Sequence, residues 1–305
     1  EQGDEVVIFD NLTTGQAANL PPKAQMVNGD ISQQDAIERL PDGHYDAVLH
    51  LAGQSSGEIS HDDPSLDLSS NALGTLLLLQ WCHRNDVSQF LYASSMAVYG
   101  LTDKIPVQEE QGLDPYSFYG ISKQAAEQYV RHYAKQGLNT TVFRMFNVYG
   151  PTQNMANMKQ GMVSIYLAYL LQGPYVLVKG SLDRFRDFVY IDDVVDGWLA
   201  AVDNPKSQGQ VYNLASGKKT LVRELLPELI RALGHDPETC TIEQGEGTPG
   251  DQFGVYANIS AIKGSLGSDP QIMITSIRSL GSDLRILLKS VFCRWLADHG
   301  LVDTF

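Results

Sequence analysis

The sequence is poor in cysteine and lacks any apolar run of membrane length. Its three cysteines, Cys82, Cys240 and Cys293, lie far apart, so neither a disulfide framework nor a Cys-x-x-Cys metal site is visible. Apolar runs such as the four leucines 76–79 fall far below the roughly 20 residues that span a bilayer. The seven histidines show no metal-binding spacing. We expect no metal and no membrane partner and, because residues 1–5 lack the pattern of a secretory signal, a reducing, cytoplasmic location.

Basic residues are also in deficit. The chain has 22 Lys and Arg against 36 Asp and Glu, which gives a net charge of −14. A surface this acidic repels phosphate backbones, and this argues against nucleic acid as a partner. It leaves room for a local basic pocket that binds a small phosphorylated ligand.

The first half of the chain alternates short apolar runs with helical patterns. Runs at 5–10, near 26–30, and at 45–53, 89–95 and 140–148 are almost continuously apolar, and helical patterns cover 67–85 and 117–137. Continuous apolar strands separated by helices are typical of a parallel sheet covered on both faces. We therefore predict a doubly wound α/β fold whose ligands bind at the carboxyl ends of the strands.

The second half is more irregular and predicts a smaller lobe that closes over the cleft. Short strands are expected at 175–178, 187–191 and 210–214, and helices at 159–172, 192–203 and 220–233. Apolar residues three or four apart predict an amphipathic helix over 277–296. We assign residues 1–149 and 187–216 to a dinucleotide-binding domain, and residues 150–186 and 217–305 to a substrate-binding lobe.

Asp10 ends the first apolar run, where two roles compete. In a dinucleotide fold an acid at this position binds the ribose hydroxyls and selects NAD over NADP. An aspartate before Asn11 is equally typical of a turn or a helix cap.

The phosphate-binding loop that should precede such an acid by about 20 residues is missing. Upstream of Asp10 there is a single glycine, Gly3. The sequence is then either a piece of a longer chain or that of a protein without this unit. We favour the first, because losing the central strand would expose an edge prone to aggregation, and we expect a strand and a Gly-x-x-Gly-x-x-Gly loop upstream.

Tyr119 and Lys123 stand four residues apart on one predicted helix, so both side chains share a face. Tyrosine has a pKa near ~10, and lowering it to ~7 requires about 4 kcal/mol of preference for the phenolate. An ammonium about 4 Å away supplies roughly that much at an effective dielectric of ~20. The pair could therefore form a base, although Tyr-x-x-x-Lys also occurs in ordinary amphipathic helices.

Ser95 makes the catalytic interpretation more specific. It ends the buried run 89–95, where a strand end meets the predicted cleft, and its hydroxyl could pass a proton from a substrate oxygen toward Tyr119. Ser94 and Ser95 could instead be turn residues. The combination with Tyr119, Lys123 and Asp10 is more specific than any one part.

From about residue 4 to 267 the chain resembles the extended short-chain dehydrogenase/reductase family, in its nucleotide-sugar epimerase and dehydratase branch. The motifs that carry the resemblance are VVIFDNLTTG, HLAGQ, NALGT, SSMAVYG, YGISK, FRMFNVYGP, RDFVYIDD and YNLASG. It implies a Rossmann-like fold, NAD as cofactor, a nucleotide-sugar substrate and a homodimer joined by a four-helix contact.

The resemblance also implies roles for individual residues. Ser95, Tyr119 and Lys123 would be catalytic. NAD would be lined by Tyr119 and Lys123 together with Asp10, Asn11, Asp30, Ile31, Leu51, Ala52, Gly53, Gln54, Asn71 and Ser94. The substrate would be bound by Asn147, Arg186, Asp251 and Val255.

The residues after Ser95 favour one reaction of this branch. Dehydratases carry Asp-Glu there, whereas this chain has Met96-Ala97 and lacks that acid and base. This favours 4-epimerisation. The alternatives are a 4-keto reductase or decarboxylase of the same branch, or a non-catalytic scaffold that has lost NAD binding.

Several positions depart from the family pattern. Thr248 stands where a second phosphate-binding arginine is expected, and Lys179 where many members stack an aromatic ring on the base, so both weaken the case for a UDP head group. Val255 falls at a position of varying bulk, which predicts tolerance of a 2-acetamido sugar if it lines the pocket. It could equally pack within the lobe.

Overall fold

The computed structural model describes residues 4–151, 153–248 and 250–270. The predicted tail helix at 277–296 and Cys293 lie outside the described residues. None of the described helices is both long and apolar enough to cross a membrane. Within the same ranges, no group of His, Cys, Asp and Glu side chains could hold a metal ion.

Twelve strands are described. They are β1 Val7–Asp10, β2 Gln25–Asn28, β3 Ala47–His50, β4 Gln89–Ser95, β5 Asn139–Met145, β6 Asn147–Tyr149, β7 Tyr175–Lys179, β8 Phe185–Arg186, β9 Phe188–Tyr190, β10 Gln210–Leu214, β11 Thr220–Leu221 and β12 Thr241–Gly245. The predicted bounds of β4 and β10 are confirmed. The predicted strand at 187–191 corresponds to β9, and β8, β11 and β12 were not predicted.

Nine α-helices are described. They are α1 Gln34–Ile37, α2 Gly57–Asp62, α3 Pro64–Asp67, α4 Gly74–Arg84, α5 Phe118–Lys135, α6 Met162–Gln172, α7 Ile191–Ala201, α8 Val222–Ala232 and α9 Ser260–Leu266. A π-helical segment, Leu68–Leu73, joins α3 to α4, so the helix predicted at 67–85 contains a wide turn. Such turns often occur at functional sites.

The main sheet has the order β10-β5-β4-β3, and all of its pairs are parallel. All seven residues of β4 are buried because helices cover both faces. On one face α4 and α5 enclose a core that includes Phe90 and Tyr92, and on the other α7 and α9 enclose one that includes Leu91 and Phe143. The predicted doubly wound α/β fold is confirmed.

β1 and β2 form a separate parallel pair. A dinucleotide fold has the strand order 3-2-1-4-5-6. β2 and β1 match the first two positions, and β3, β4 and β5 match those after the centre. Among the described strands, β1 pairs with β2 alone and β3 with β4 alone, so none of them fills the central position.

The predicted lobe has its own core, in which α6 and α8 pack against β7, the partner of β12. The predicted division into a dinucleotide-binding domain and a substrate-binding lobe stays a prediction. Residues 217–305 were assigned to the lobe, but Ile262 of α9 packs in the core of the main sheet with Leu214 and Trp198. The cause is the apolar face of this short helix, which the sequence pattern did not reveal.

Candidate active site

Helix α5 presents Tyr119 and Lys123 one turn apart, directly after its N-terminus. The Ser117 hydroxyl caps the helix by accepting a hydrogen bond from the Gly120 amide at 3.1 Å, a contact that stabilises a helix by about 1 kcal/mol. Ala126 and Val130 then bury the same helix against the sheet. The cap and this packing together fix both candidate catalytic groups in space.

The Lys123 ammonium lies under the carboxyl end of β4. It donates to the Ala93 carbonyl at 3.1 Å, and lies 5.3 Å from the ring centre of Tyr92 and 5.9 Å from that of Tyr119. Burial lowers the pKa of Lys123 to about 8, while the carboxylates of Asp67 and Glu127 raise it. The charge of this lysine therefore depends on two buried acids.

The expectation that Lys123 depresses the pKa of Tyr119 is not met by the residues described. Burial raises the pKa of Tyr119 to about 12, and the hydrogen bond with Ser95 only partly offsets that rise. The Lys123 ammonium is bonded to the Ala93 carbonyl and lies 5.9 Å from the centre of the Tyr119 ring. The chain's own groups therefore keep Tyr119 protonated at neutral pH.

Ser95 is the last residue of β4 and caps the 3-10 turn Met96–Tyr99, accepting from the Ala97 amide at 3.2 Å. The predicted turn role and the contact with Tyr119 therefore coexist at one hydroxyl. Next to it, the Met96 thioether lies 3.4 Å from Asn147 Nδ2, which also donates to the Asp187 carbonyl at 3.2 Å. Asn147 is thus brought to the serine side of the site.

Asp67 is a residue that the sequence did not reveal. It is buried in the last turn of α3, and its Oδ1 accepts from Gln54 Nε2 at 2.7 Å and from Asn71 Nδ2 at 3.1 Å. Asn71 Nδ2 also donates to Ser122 beside Lys123, at 3.1 Å. One carboxylate thus links two predicted cofactor-lining residues to the catalytic helix. A single acid in a helical pattern gives no sequence signal of such a role.

Gly53 lies where backbone must approach this cluster closely. A Cβ there would come 2.4 Å from Asn71 Oδ1 and 3.4 Å from Lys123 Nζ, and its φ of +146° favours glycine. Asn71 Oδ1 is itself buried without a hydrogen-bond partner in the described chain. Close backbone packing at Gly53, beside an orphaned acceptor and a cation, fits a bound polar cofactor such as NAD.

The remaining predicted NAD-lining residues lie at the ends of β1, β2 and β3. Asp10 Oδ1 accepts from the Leu12 amide at 2.6 Å, which is the turn role. Asp30 accepts from the Ser32 amide and hydroxyl, and these bonds lower the pKa of Asp30. The others differ in exposure: Asn11 and Leu51 are exposed, Ala52 is half-buried, and Ile31 is buried against Gly74.

Behind the catalytic residues lies a buried ion pair. Glu127 on α5 accepts from Arg144 Nε at 3.0 Å and from Nη2 at 2.9 Å, and both side chains are 2% exposed. Ser94 also donates to Glu127, so this predicted NAD-lining residue faces the ion pair. Arg144 further donates to the Tyr99 hydroxyl at 3.1 Å.

Arg186 and Asp251, two predicted substrate-binding residues, are in direct contact: Arg186 Nη2 lies 2.7 Å from Asp251 Oδ1. Arg184, which was not predicted, donates to the other oxygen of the same carboxylate. Asp187, which follows Arg186, is buried. Its carboxylate accepts hydrogen bonds from the amides of Ser216, Gly217 and Ala257 and from the Ser216 hydroxyl. Burial raises the pKa of Asp187 to about 6.

Val255 is not brought to these groups. It is 1% exposed and packs in an apolar cluster with Val98, Tyr99 and Phe146. The structure thus favours the packing alternative for this residue. The homodimer predicted from the resemblance stays a prediction.

The chain was compared with known proteins. Residues 1–215 match the model of the NAD-dependent epimerase/dehydratase family. A putative UDP-glucose 4-epimerase of Methanocaldococcus jannaschii is 33% identical over 274 residues, which cover 89% of this chain and 87% of that protein. The predicted resemblance to this family is confirmed.

Two solved structures are similar over almost the whole chain. The UDP-glucose 4-epimerase of Thermotoga maritima with UDP-glucose has a TM-score of 0.86 and 30% identity, covering 95% of this chain and 93% of that one. The dTDP-glucose 4,6-dehydratase DesIV of Streptomyces venezuelae, with NAD bound, has a TM-score of 0.84 and 27% identity, covering 94% and 88%. The fold is therefore shared by enzymes of two different reactions.

Proposed function

The chain belongs to the NAD-dependent epimerase/dehydratase family, and on that premise we propose that it epimerises a nucleotide-activated sugar at C4 through a transient 4-keto intermediate. The observation that carries the proposal is the assembly of Ser95, Tyr119 and Lys123, with Met96 and Ala97 following the serine. These side chains suit the removal and return of the proton of a secondary alcohol, while NAD, when bound, would exchange the hydride.

In the proposed cycle Tyr119 takes the proton of the C4 hydroxyl, and Ser95 holds the reacting oxygen by a hydrogen bond. NAD, when bound, supplies the hydride acceptor and donor and a positive ring that favours the phenolate. Lys123 adds a second positive charge near the phenol. Gly53, Asn71, Asp10 and Asp30 would line the cofactor. Return of the hydride to the other face of the keto sugar, and of the proton from Tyr119, would then leave no net oxidation.

A dehydratase would require an acid and a base for elimination across C5 and C6. In this chain the position after Ser95 holds a thioether in contact with Asn147. The two buried carboxylates that act on Lys123, those of Asp67 and Glu127, are engaged with Gln54, Asn71, Ser94 and Arg144. This arrangement favours epimerisation over elimination.

The test offers the full-length protein UDP-glucose, UDP-N-acetylglucosamine, UDP-glucuronate and dTDP-glucose, and identifies the products by NMR. We expect a C4 epimer without net change in cofactor redox state. A 4-keto-6-deoxy product, or release of CO2 from the glucuronate, would contradict the proposal in favour of a dehydratase or decarboxylase. Denatured protein that releases no NAD, combined with no turnover, would favour a scaffold.

Tyr119→Phe tests the assigned base. We expect kcat to fall by roughly 10³-fold, because the phenol no longer exchanges the C4 proton, while bound NAD and thermal unfolding stay unchanged. Tyr129→Phe is the matched control, since Tyr129 lies on the same helix with an exposed side chain. Equal activity of the two variants would exclude Tyr119 as the base.

A further inference from the structure

Two buried arginines contact one carboxylate near the catalytic helix. Arg186 Nη2 lies 2.7 Å from Asp251 Oδ1, and Arg184 Nη2 binds Oδ2 of the same group. The two arginine side chains are 3% and 10% exposed. Two guanidinium groups and one carboxylate leave a net charge of +1, and a buried excess charge is costly without a counter-ion.

Two acidic residues near the arginine pair form ion pairs with other basic residues. Asp183 pairs with Arg223 at 2.6 Å, and Glu58 pairs with Lys179 at 2.5 Å. The excess positive charge of the arginine pair is therefore not neutralised by these two carboxylates.

Arg184 also has an unused donor. Its Nη groups bond to the Lys179 carbonyl and to Asp251, whereas its Nε is buried and has no acceptor in the described part of the chain. The residue as a whole is 8% exposed. A buried N–H on a cation that lacks an acceptor costs free energy, which an anionic ligand would recover.

The arginine pair lies beside the proposed catalytic groups. A Cβ on Gly250, next to Asp251, would come 3.1 Å from Ser117, the residue that caps α5 before Tyr119. Gln252 Nε2 donates to the Gly100 carbonyl at 2.5 Å, at the end of the turn that follows Ser95. A ligand whose sugar reached Ser95 could therefore extend its charged part toward Arg184.

We propose that Arg184 provides a second guanidinium that binds the diphosphate of the nucleotide sugar alongside Arg186. The inference rests on the proposed function for the identity of the ligand. A diphosphate carries several acceptor oxygens, one of which would accept from the unused Arg184 Nε, while the shared Asp251 carboxylate holds both guanidinium groups in place. Arg184 would thus replace the charge whose loss Thr248 led us to expect.

A purely structural role makes a different prediction. If Arg184 only anchors the turn at Lys179 and Gly180, its removal lowers stability and leaves ligand affinity per folded molecule unchanged. If it binds diphosphate, affinity falls while the fold is retained. Arg184→Lys keeps the positive charge but lacks the planar guanidinium group. It therefore separates the effect of charge from the effect of hydrogen-bond geometry.

The experiment compares Arg184→Gln with Arg223→Gln in full-length protein under saturating NAD. Arg223 is the matched control, because it is 56% exposed and pairs with the residue before Arg184. We measure calorimetric binding of inorganic pyrophosphate and, separately, KM and kcat for the nucleotide sugar. Loss of one charge-assisted contact should weaken pyrophosphate binding and raise KM by roughly tenfold to a hundredfold in Arg184→Gln, with kcat little changed. Arg184→Lys should be intermediate, and Arg223→Gln should match the wild type.

Unchanged pyrophosphate affinity and KM in folded Arg184→Gln would overturn the inference, and so would a wild type that does not bind pyrophosphate. Failure of the proposed function is distinguishable from both. A wild type that binds pyrophosphate through Arg184, yet epimerises no nucleotide sugar, would support the anion site and contradict the epimerase.

Discussion

The main sheet and the separate β1–β2 pair differ in how their functional residues are held. β4 buries every residue, whereas neither β1 nor β2 has a fully buried one. On the β4 side, Lys123 is bonded to a strand carbonyl and backed by a buried ion pair. On the β1 side, Asp10 and Asp30 are held by turns to Leu12 and Ser32.

The two groups of residues should therefore respond differently to substitution. The proposed catalytic residues on the β4 side are positioned by long-range contacts, so a single change there should affect the fold, the charge of Lys123 and the chemistry together. Asp10 and Asp30, the acids proposed to bind the cofactor, are positioned locally, so changes there should alter binding alone. Substitutions beside the main sheet and beside the β1–β2 pair can test this contrast.

The largest effect is expected at the ion pair behind the catalytic helix. Glu127→Gln leaves the buried Arg144 guanidinium without its counter-charge, and should lower the free energy of unfolding by about 3–5 kcal/mol. Urea denaturation measures this loss. The control is Glu38→Gln, whose partner Arg84 is 48% exposed, and for which we expect a change below about 1 kcal/mol. Similar losses in the two variants would refute the contrast.

The sequence identified the residues that depend on local pattern. Ser95 and the bounds of β4 could be predicted because a continuous apolar run ends there, and Tyr119 and Lys123 because helical spacing places them together. Asp67 and Arg184 could not be predicted in this way. Their partners lie far away in sequence, and an isolated Asp or Arg in a helix or loop has the same pattern whether it is buried or solvated.

The pKa of Tyr119 shows a second limit. Spacing correctly paired it with Lys123, but the charge effect assumed an ammonium about 4 Å from the phenol. The fold instead engages that ammonium with Ala93, and desolvation has the largest influence on the pKa of the half-buried Tyr119. Burial depends on the packing of the whole sheet, which a motif on one helix does not encode.

An intermediate effect is expected from Asp67→Asn. The ammonium of Lys123 is present below its pKa of about 8 and is lost as the pH rises through it. The Asp67 carboxylate raises that pKa, so removing its charge should lower it and move the alkaline fall in kcat/KM toward lower pH. At mildly alkaline pH we expect a loss of roughly tenfold.

The pH profile separates this charge effect from damage to the fold. Asp63→Asn is the control, since Asp63 caps α3 by accepting from Leu66 and asparagine caps equally well. A loss of activity in Asp67→Asn that is equal at every pH would indicate disturbed packing of Gln54 and Asn71 and would contradict the charge role.

The smallest effect is expected from Asp10→Asn, at the end of β1. Asparagine retains an oxygen that can accept from the Leu12 amide, so the turn should persist and the free energy of unfolding should change by less than about 0.5 kcal/mol. Loss of the negative charge removes the repulsion of a 2′-phosphate, so NAD should bind a few-fold more weakly and NADP more tightly.

Titration of the full-length protein with each dinucleotide measures both changes. Asp35→Asn, a change at an exposed residue of α1, controls for net charge. If the preference for NAD over NADP were the same in Asp10→Asn as in the control, Asp10 would be a turn residue only. Asp30 would then remain as the acid proposed to bind the cofactor.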